Sequence, residues 1–353
     1  MPETPGRILR RRRAGGWPSS TGNYFTGQLF FDSEPPKDRT ALPGGRPGWG
    51  EPLLSRNDRA FYAATGPRMA AMQSDLFRDT TLAENVARYR DMIDRLDAFK
   101  ASPEAPDVAA LHCGIEIRDG LTADIAVPHG PGPFPVVLHV HGNAMIWGSA
   151  GSFRRTTLDF ARGGMVAVMP DYRLAPEHRF PAAFDDVMFA AHWLSRNAAR
   201  FGGDPARLFV SGNSSGAGLA FAAARALAEA GHGKLLRGVA GFDGHYDRSL
   251  EPRSWLQDAY LGDDVETLLR DPRVSPGVGL RAGMLPPCLL TSGSADFACA
   301  NTLAFGQTLA AAGIPFDLRV FEGARHDAMR YPMLDVSRDI MATFFDFVRA
   351  VTA

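Results

Sequence analysis

The sequence has few cysteines and no long apolar segment. Its three cysteines, Cys113, Cys288 and Cys299, lack the paired spacing of a metal-binding cluster. We therefore expect reduced thiols, as in a cytoplasmic protein, and no metal. No run of about 18 apolar residues is present, so we expect no membrane-spanning helix. The residues after the N-terminal arginines do not form an apolar signal core, so we do not expect export.

The sequence also lacks an excess of charge of either sign. Its 38 Lys and Arg residues balance 39 Asp and Glu residues, and the formal net charge is −1. A nucleic acid or another polyanion is therefore not the expected partner. Arginines cluster at the start of residues 1–50, a Pro- and Gly-rich stretch that we interpret as a basic arm. Whether this arm is solvated, packs on its own domain or packs on the second subunit of a homodimer stays open.

A glycine-flanked serine is the most informative feature that is present. The motif Gly-Asn-Ser-Ser-Gly at residues 212–216 follows the apolar run 208–210 and precedes a small-residue stretch typical of a helix. A strand, a sharp turn and a helix in this order lift a serine hydroxyl out of the sheet edge. A Cβ at either flanking glycine would collide with a neighbouring element. Ser214 is therefore a candidate nucleophile, and a plain glycine-rich turn is the alternative.

Candidate partners for Ser214 follow two later strands. Asp296 comes after the apolar run 287–292, and His326 comes after the alternating run 316–321. A nucleophilic serine needs a base and an acid that orients the base. The chain order Ser, Asp, His is the one expected on a mostly parallel sheet. We predict that Ser214, His326 and Asp296 form a catalytic triad.

The sequence leaves alternatives open for the acid and the base. Asp296 is also placed to cap the helix that follows it. His326 and Asp327 also fit a plain surface pair. The rival acids are Asp263, Asp271 and Glu322.

The order of elements predicts an α/β fold. The first two strands are joined by Asp119-Gly120, a hairpin-type turn, so the sheet is expected to begin antiparallel and then become parallel. The predicted strands are 111–117, 121–127, 135–140, 165–170, 207–211, 237–242, 287–292 and 316–321. The predicted helices are near 153–163, 182–200, 215–230, 300–312 and 335–350.

Helical periodicity extends over residues 56–100, ahead of these strands. Apolar residues recur there at spacings of three and four, which indicates a buried helix face. We divide the chain into the arm (1–50), a helical cap (51–105) and a catalytic domain (106–353). A helix pair that only covers a sheet edge is the alternative to the cap.

Three motifs resemble those of the hormone-sensitive-lipase-like esterases, a family with the α/β-hydrolase fold. The family marks are a His-Gly-Gly-Gly loop, an Asp-Tyr-Arg-Leu-Ala-Pro-Glu stretch and a Gly-Asp-Ser-Ala-Gly-Gly elbow. They stand here at residues 141–144, 171–177 and 212–217, and the middle motif matches residue for residue. The resemblance implies an eight-stranded, mostly parallel sheet flanked by helices, with an N-terminal helical cap.

The resemblance also implies a function. It predicts a serine carboxylesterase that hydrolyses short-acyl esters of small to medium size through an acyl-enzyme, without a cofactor or metal. The implied oxyanion donors are the backbone N–H groups of Asn143, Ala144 and Ser215. Asn143 and Ala144 replace family glycines, so the geometry of this oxyanion hole stays open.

Two other functions and a set of pocket residues complete the predictions. An acyltransferase or dehydratase would use the same site on another substrate. A non-catalytic receptor is the second alternative, because plant gibberellin receptors resemble this family but lack the catalytic histidine. The aromatic residues expected near the mouth are Trp147, Phe242, Tyr246, Trp255, Tyr260 and Phe297.

Overall fold

Apolar runs along the chain form the strands of one sheet. The structure, a computed structural model, describes residues 45–49, 54–74, 81–100 and 105–353. The described strands are, in chain order, β1 (Gly45–Trp49), β2 (Ala110–Arg118), β3 (Leu121–Val127), β4 (Phe134–Val140), β5 (Val166–Pro170), β6 (Gly203–Asn213), β7 (Gly238–Phe242), β8 (Cys288–Gly293) and β9 (Phe316–Phe321).

The sheet is mostly parallel. From edge to edge the strand order is β1-β9-β8-β7-β6-β4-β5-β3-β2. The β2/β3 and β3/β5 pairs are antiparallel and the other neighbours are parallel. The eight predicted strands and the α/β-hydrolase fold are thus confirmed. The carboxyl ends of β6, β7, β8 and β9 meet at one edge, where a site is expected in such sheets.

One edge strand lies within the predicted arm. Residues 45–49, which we assigned to the arm, pair in parallel with β9, so this part of the arm packs on its own domain, one of the alternatives left open by the sequence. Their sequence, Gly-Arg-Pro-Gly-Trp, has low strand propensity, and a proline is tolerated because β1 is an edge strand. The rest of the predicted arm, residues 1–44 and 50, lies outside the described residues.

Helices cover both faces of the sheet. The described helices are α1 (Arg56–Ser74), α2 (Leu82–Lys100), α3 (Arg154–Arg162), α4 (Ala182–Asn197), α5 (Ser215–Glu229), α6 (Trp255–Leu261), α7 (Val265–Leu268), α8 (Cys299–Ala311) and α9 (Asp335–Thr352). Helix α4 ends earlier than predicted because a short 3₁₀ turn follows it at Ala198–Phe201. The short helices α6 and α7 were not predicted, since seven and four residues show little periodicity.

The N-terminal helices α1 and α2 pack on segments that follow β4, β5 and β9. The Asp58 carboxylate in α1 accepts the backbone N–H groups of Asp335 and Val336 at 2.7 and 3.1 Å, at the start of α9. Arg90 in α2 donates to the carbonyl oxygen of Ile146 at 3.0 Å and to the Glu177 carboxylate at 2.8 Å. These bonds tie both helices to segments beside the carboxyl edge of the sheet.

Two further features concern the helices and the cysteines. Among the described helices, none is both long and apolar enough to cross a membrane. All three cysteines lie in the described part of the chain, where none is paired with another; that their thiols are reduced stays a prediction.

Candidate active site

Ser214 stands at the turn between β6 and α5. Its backbone angles are φ 53° and ψ −126°, a strained conformation for a residue with a side chain. Close packing explains the glycines on either side. A methyl group at Gly212 would overlap the carbonyl of Gly216, and one at Gly216 would overlap the carbonyl of Val140. The turn therefore presents the serine hydroxyl at the carboxyl edge of the sheet.

The structure brings Ser214, His326 and Asp296 together. The Oγ of Ser214 is 2.9 Å from Nε2 of His326, and Nδ1 of His326 is 2.8 Å from Oδ1 of Asp296. Both distances are those of hydrogen bonds. Only 7% of Ser214 and 4% of Asp296 is exposed, so the bonds lie in a largely dry environment. The arrangement suits transfer of the serine proton to the imidazole.

This geometry selects Asp296 among the acids that the sequence left open. The Asp296 oxygens also accept the Ala298 N–H at 2.9 Å and the Ser292 hydroxyl at 3.4 Å. The rival Asp271 instead forms an ion pair with Arg273 at 2.6 Å. Burial raises the pKa of Asp296 to about 6.

A second buried carboxyl, Asp243, lies beside Asp296. Its oxygens accept the backbone N–H groups of Gly293 at 3.1 Å and Asp327 at 3.0 Å, so it links the strand before Asp296 to the loop of His326. Burial raises the pKa of Asp243 well above its ordinary value, and the nearby Asp296 adds to this effect. One proton shared by the two carboxyls explains how both remain buried.

Asp327 belongs to a buried network and not to a surface pair. It has φ 61° and is 6% exposed. Its carboxylate accepts the Asn213 side-chain amide at 2.8 Å and the Arg330 guanidinium at 3.3 Å. The residue after the candidate base is therefore bonded to the residue before the candidate nucleophile, and this contact fixes the distance between their two loops.

One group of described residues could offer metal ligands. Single ligand atoms of Asp243, Asp296 and His326 lie within 4.8 Å of one another. Nδ1 of His326 is already bonded to Asp296, and the Asp243 oxygens already accept two backbone N–H groups. These hydrogen bonds suit proton transfer better than metal ligation, which requires free lone pairs. That no metal or cofactor takes part remains a prediction.

The candidate oxyanion loop lies directly against the serine turn. A methyl group at Gly142 would come within 2.9 Å of Cβ of Ser214. The next residues, Asn143, Ala144 and Met145, have φ values of 69°, 58° and 60°. A non-glycine residue in this region costs about 1–2 kcal/mol, less for Asn. The backbone N–H groups of Asn143 and Ala144 have no acceptor among the described residues.

Neighbouring segments hold this strained loop in place. The N–H of Ala175 donates to the carbonyl of Met145 at 2.8 Å. The Tyr172 hydroxyl donates to the carbonyl of His141 at 2.9 Å, and its ring stacks on the His141 ring with centroids 4.2 Å apart. Burial lowers the pKa of His141 to about 3, so this imidazole is neutral. The motif at 171–177 thus supports the loop, which is a structural role.

Two of the predicted pocket aromatics belong to the core. Phe242 is fully buried and packs against Phe160 and Phe344, and Tyr246 stacks on Phe305 with centroids 4.4 Å apart. That Phe242 and Tyr246 line the pocket stays a prediction, but these contacts show that both rings pack in the core.

The other predicted aromatics have different surroundings. The Phe297 ring is 4.3 Å from the His326 ring, measured between centroids. Trp255, on α6, packs edge-on against Tyr89 of α2 with centroids 5.9 Å apart. Trp147 follows the strained loop, and its backbone N–H donates to the carbonyl of Asn143 at 3.4 Å. Tyr260 is 2% exposed and also lies on α6. That these residues contact substrate stays a prediction.

Comparison with known proteins identifies the family. A family model described as the alpha/beta hydrolase fold matches residues 137–330, more than half of the chain. The chain belongs to the α/β-hydrolase family. Within this family it belongs to the hormone-sensitive-lipase-like group, as its motifs indicated.

The similar proteins include an enzyme and a receptor. The rice (Oryza sativa subsp. japonica) gibberellin receptor GID1 is 32% identical over 244 residues, covering 62% of this chain and 68% of the receptor. The ethyl acetate hydrolase of Pseudomonas putida is 30% identical over 270 residues, covering 70% of this chain and 83% of the enzyme. A Pyrobaculum calidifontis esterase superposes with a TM-score of 0.68 at 22% identity, covering 81% of this chain and 98% of the esterase. The likeness to ester hydrolases supports hydrolase activity on esters.

Sequence reasoning missed Asp243 and the role of Asp327. Asp243 directly follows the buried strand β7, just as Asp296 follows β8 after a short turn, so the same signal was available for both. The sequence could not show that the two carboxyls are neighbours, because that depends on β7 pairing with β8.

Proposed function

We propose that this α/β hydrolase is a serine carboxylesterase that acts on short-acyl esters of small to medium size through an acyl-enzyme. The observation that carries the proposal is the continuous hydrogen-bonded chain from the Ser214 hydroxyl through His326 to Asp296. Its three members come from loops after β6, β9 and β8. Such a chain is the arrangement that activates a serine hydroxyl for attack on a carbonyl.

In the first step Ser214 Oγ attacks the ester carbonyl while Nε2 of His326 takes its proton. The backbone N–H groups of Asn143, Ala144 and Ser215 hold the oxyanion that forms. Ser215 is the first residue of α5, so its N–H has no acceptor within the helix and the helix dipole adds positive potential there. His326 then donates the proton to the leaving alcohol, and the acyl group stays on Ser214.

In the second step water cleaves the acyl-enzyme. His326 takes a proton from the water, which attacks the acyl carbonyl, and then returns the proton to Ser214 as the acid leaves. Asp296 orients the imidazole and stabilises its charged form through the bond to Nδ1. Because burial raises the pKa of Asp296 to about 6, the carboxylate form needed here is favoured above that pH.

The helices α1 and α2 serve as the cap in this proposal. Arg325, which precedes His326, has its guanidinium 4.8 Å from the centroid of the Tyr62 ring in α1. Arg90 of α2 bonds to the segment just after the oxyanion loop. A cover attached at both points would exclude water from the acyl-enzyme and limit the length of the acyl chain.

Hydrolysis of p-nitrophenyl esters tests the proposal. The purified protein is assayed with acetate, butyrate and long-chain esters, next to Ser214→Ala and the control Ser195→Ala. Ser195 lies in α4, where its hydroxyl bonds to a helix carbonyl. We expect the short esters to be cleaved fastest, Ser214→Ala to lose about 10⁶-fold in kcat, and Ser195→Ala to match the wild type.

The possible failures have different meanings. Equal rates for the wild type and Ser214→Ala would contradict the serine esterase. Turnover of long-chain esters alone would contradict the short-acyl preference. Product analysis that finds the acyl group transferred to an acceptor other than water would favour the acyltransferase, and ligand binding without turnover would favour a receptor.

A further inference from the structure

Arg248 places a buried guanidinium beside the candidate site. The residue is 8% exposed and follows β7 in a short 3₁₀ turn. Its side chain has one protein partner among the described residues, the sulfur of Met145, which Nη2 approaches at 3.6 Å. A thioether is a weak acceptor, and no carboxylate in the described part of the chain forms an ion pair with this arginine. Burying a cation with so weak a partner lowers the stability of the folded protein.

The carboxylate of Glu251 is not the strong partner that Arg248 lacks. Its Oε1 is 2.6 Å from Nδ1 of His245 and accepts the Asn301 amide at 3.1 Å. Burial would raise the pKa of Glu251, but the charge and hydrogen bond of His245, together with the charge of Arg248, hold it below its ordinary value. Glu251 is therefore ionised and already engaged by His245 and Asn301.

Several contacts place Arg248 at the site and not elsewhere in the core. Met145 directly follows Asn143 and Ala144, the candidate oxyanion residues. The His245 ring, three residues before Arg248, is 6.2 Å from the His326 ring between centroids.

A second observation concerns buried donors on helix α6. Among the described residues, three buried donor atoms on this helix have no hydrogen-bond partner: Nε1 of Trp255, Nε2 of Gln257 and the hydroxyl of Tyr260. Tyr260 lies close enough to Arg248 for the positive charge to lower the pKa of its hydroxyl, against a larger increase caused by burial. Buried donors are normally bonded, so a set of them without acceptors indicates an acceptor that the substrate brings.

We propose that Arg248, with Tyr260 and Trp255, forms a subsite for a carboxylate group of the ester substrate. A planar guanidinium pairs with a carboxylate through two parallel hydrogen bonds. One cation next to the ionised Glu251 suits a monoanion and not a dianion such as a phosphate monoester. The inference rests on the proposed function and narrows it to esters that carry a carboxylate, such as monoesters of dicarboxylic acids or esters of hydroxy acids.

Matched ester pairs test this subsite. The anionic probes are the mono-p-nitrophenyl esters of succinic, glutaric and adipic acids and 4-carboxyphenyl acetate. The neutral probes are p-nitrophenyl butyrate, p-nitrophenyl valerate, p-nitrophenyl hexanoate and phenyl acetate. The variants are Arg248→Gln and the control Arg273→Gln, which removes the same charge from a surface ion pair with Asp271.

We expect at least one anionic ester to depend on Arg248. Its kcat/KM falls by about 10- to 100-fold in Arg248→Gln, mostly through KM, because a charge-assisted hydrogen-bond pair is lost. The matched neutral ester changes by less than about threefold, and Arg273→Gln changes neither by more than that. Equal losses on both esters would assign Arg248 a structural role and overturn the inference. The inference would also fail if Arg248→Gln hydrolysed every anionic ester as efficiently as the wild type.

A binding measurement separates the subsite from the proposed function. Calorimetry compares Ser214→Ala with Ser214→Ala/Arg248→Gln for binding of the same uncleaved esters. If the wild type hydrolyses no ester but the single variant binds an anionic ester at least about tenfold more tightly than the double variant, the esterase proposal fails and the subsite stands. If the two variants bind every anionic ester equally, the subsite is wrong whether or not neutral esters are hydrolysed.

Discussion

The catalytic and substrate sides of the candidate site differ in how their polar groups are bonded. On the catalytic side, Ser214, His326 and Asp296 are bonded to one another, and Asp243 and Asp327 are bonded to their surroundings. On the substrate side, the described residues offer no strong acceptor to the donors of Arg248, Trp255 and Tyr260.

This difference separates two tasks of the fold. Groups that move a proton must be oriented before the substrate arrives, so the chain supplies their partners itself. Groups that recognise a substrate must keep their bonding capacity free, at a cost to stability. The three predictions below test this contrast, beginning with the largest expected effect.

Asp296→Asn tests the bonded side most strongly. An amide at this position donates to Nδ1 of His326 and stabilises the wrong imidazole tautomer, so we expect kcat to fall by about 10⁴-fold. The measurement is steady-state hydrolysis of p-nitrophenyl butyrate. Asp271→Asn is the control, because Asp271 binds Arg273 and not the imidazole. Similar losses in both variants would mean that Asp296 is not the acid.

The pH dependence of stability tests the buried Asp243. Because its pKa is raised, the native state keeps a proton that the unfolded chain releases above about pH 4. The free energy of unfolding therefore loses this contribution as pH rises from about 4 towards the raised pKa. Asp243→Asn has no proton to release, so the variant should gain stability relative to wild type as pH rises.

Urea unfolding at about pH 4.5, 6 and 7.5 measures this trend. Asp243→Asn should also lower the free energy of unfolding by a similar amount at every pH, since an amide cannot accept both backbone N–H groups that Asp243 binds. The control is Asp339→Asn on the exposed face of α9, which removes a carboxyl without a buried partner. If the free energy of unfolding had the same pH dependence in the wild type and in Asp243→Asn, Asp243 would be ionised in the folded protein.

A pair of tyrosine variants compares the two sides directly. Tyr172→Phe removes a hydroxyl that donates to the His141 carbonyl and should lower the free energy of unfolding by about 1–3 kcal/mol. Tyr260→Phe removes a buried hydroxyl that has no partner in the part of the chain that the structure describes, and it should change the free energy of unfolding by less than about 0.5 kcal/mol or raise it. Urea unfolding of the two variants gives both values. Equal destabilisation would show that the Tyr260 hydroxyl has a partner in the folded chain.

Local sequence patterns were sufficient for much of the fold. The apolar runs at 135–140, 165–170 and 316–321 became strands with nearly the same bounds. Strand β1 was missed because pairing with β9 imposes an extended backbone on a Pro- and Gly-rich segment. The contacts of Phe242 with Phe160 and Phe344 could not be predicted, because they depend on which helices cover the sheet.

The sequence by itself determined the turn around Ser214, the chain order of the three candidate catalytic residues and the loop at 141–144. The turn follows from short-range sterics, which act over a few residues, whereas the chain order and the motif at 141–144 are read directly from the sequence. Only the tertiary structure decided that Asp296 and not Asp271 reaches His326, that Asp243 lies beside Asp296, and that Arg248 forms no ion pair with a carboxylate of the described residues. These facts depend on distances between segments up to about a hundred residues apart, and such distances are set by strand order and packing.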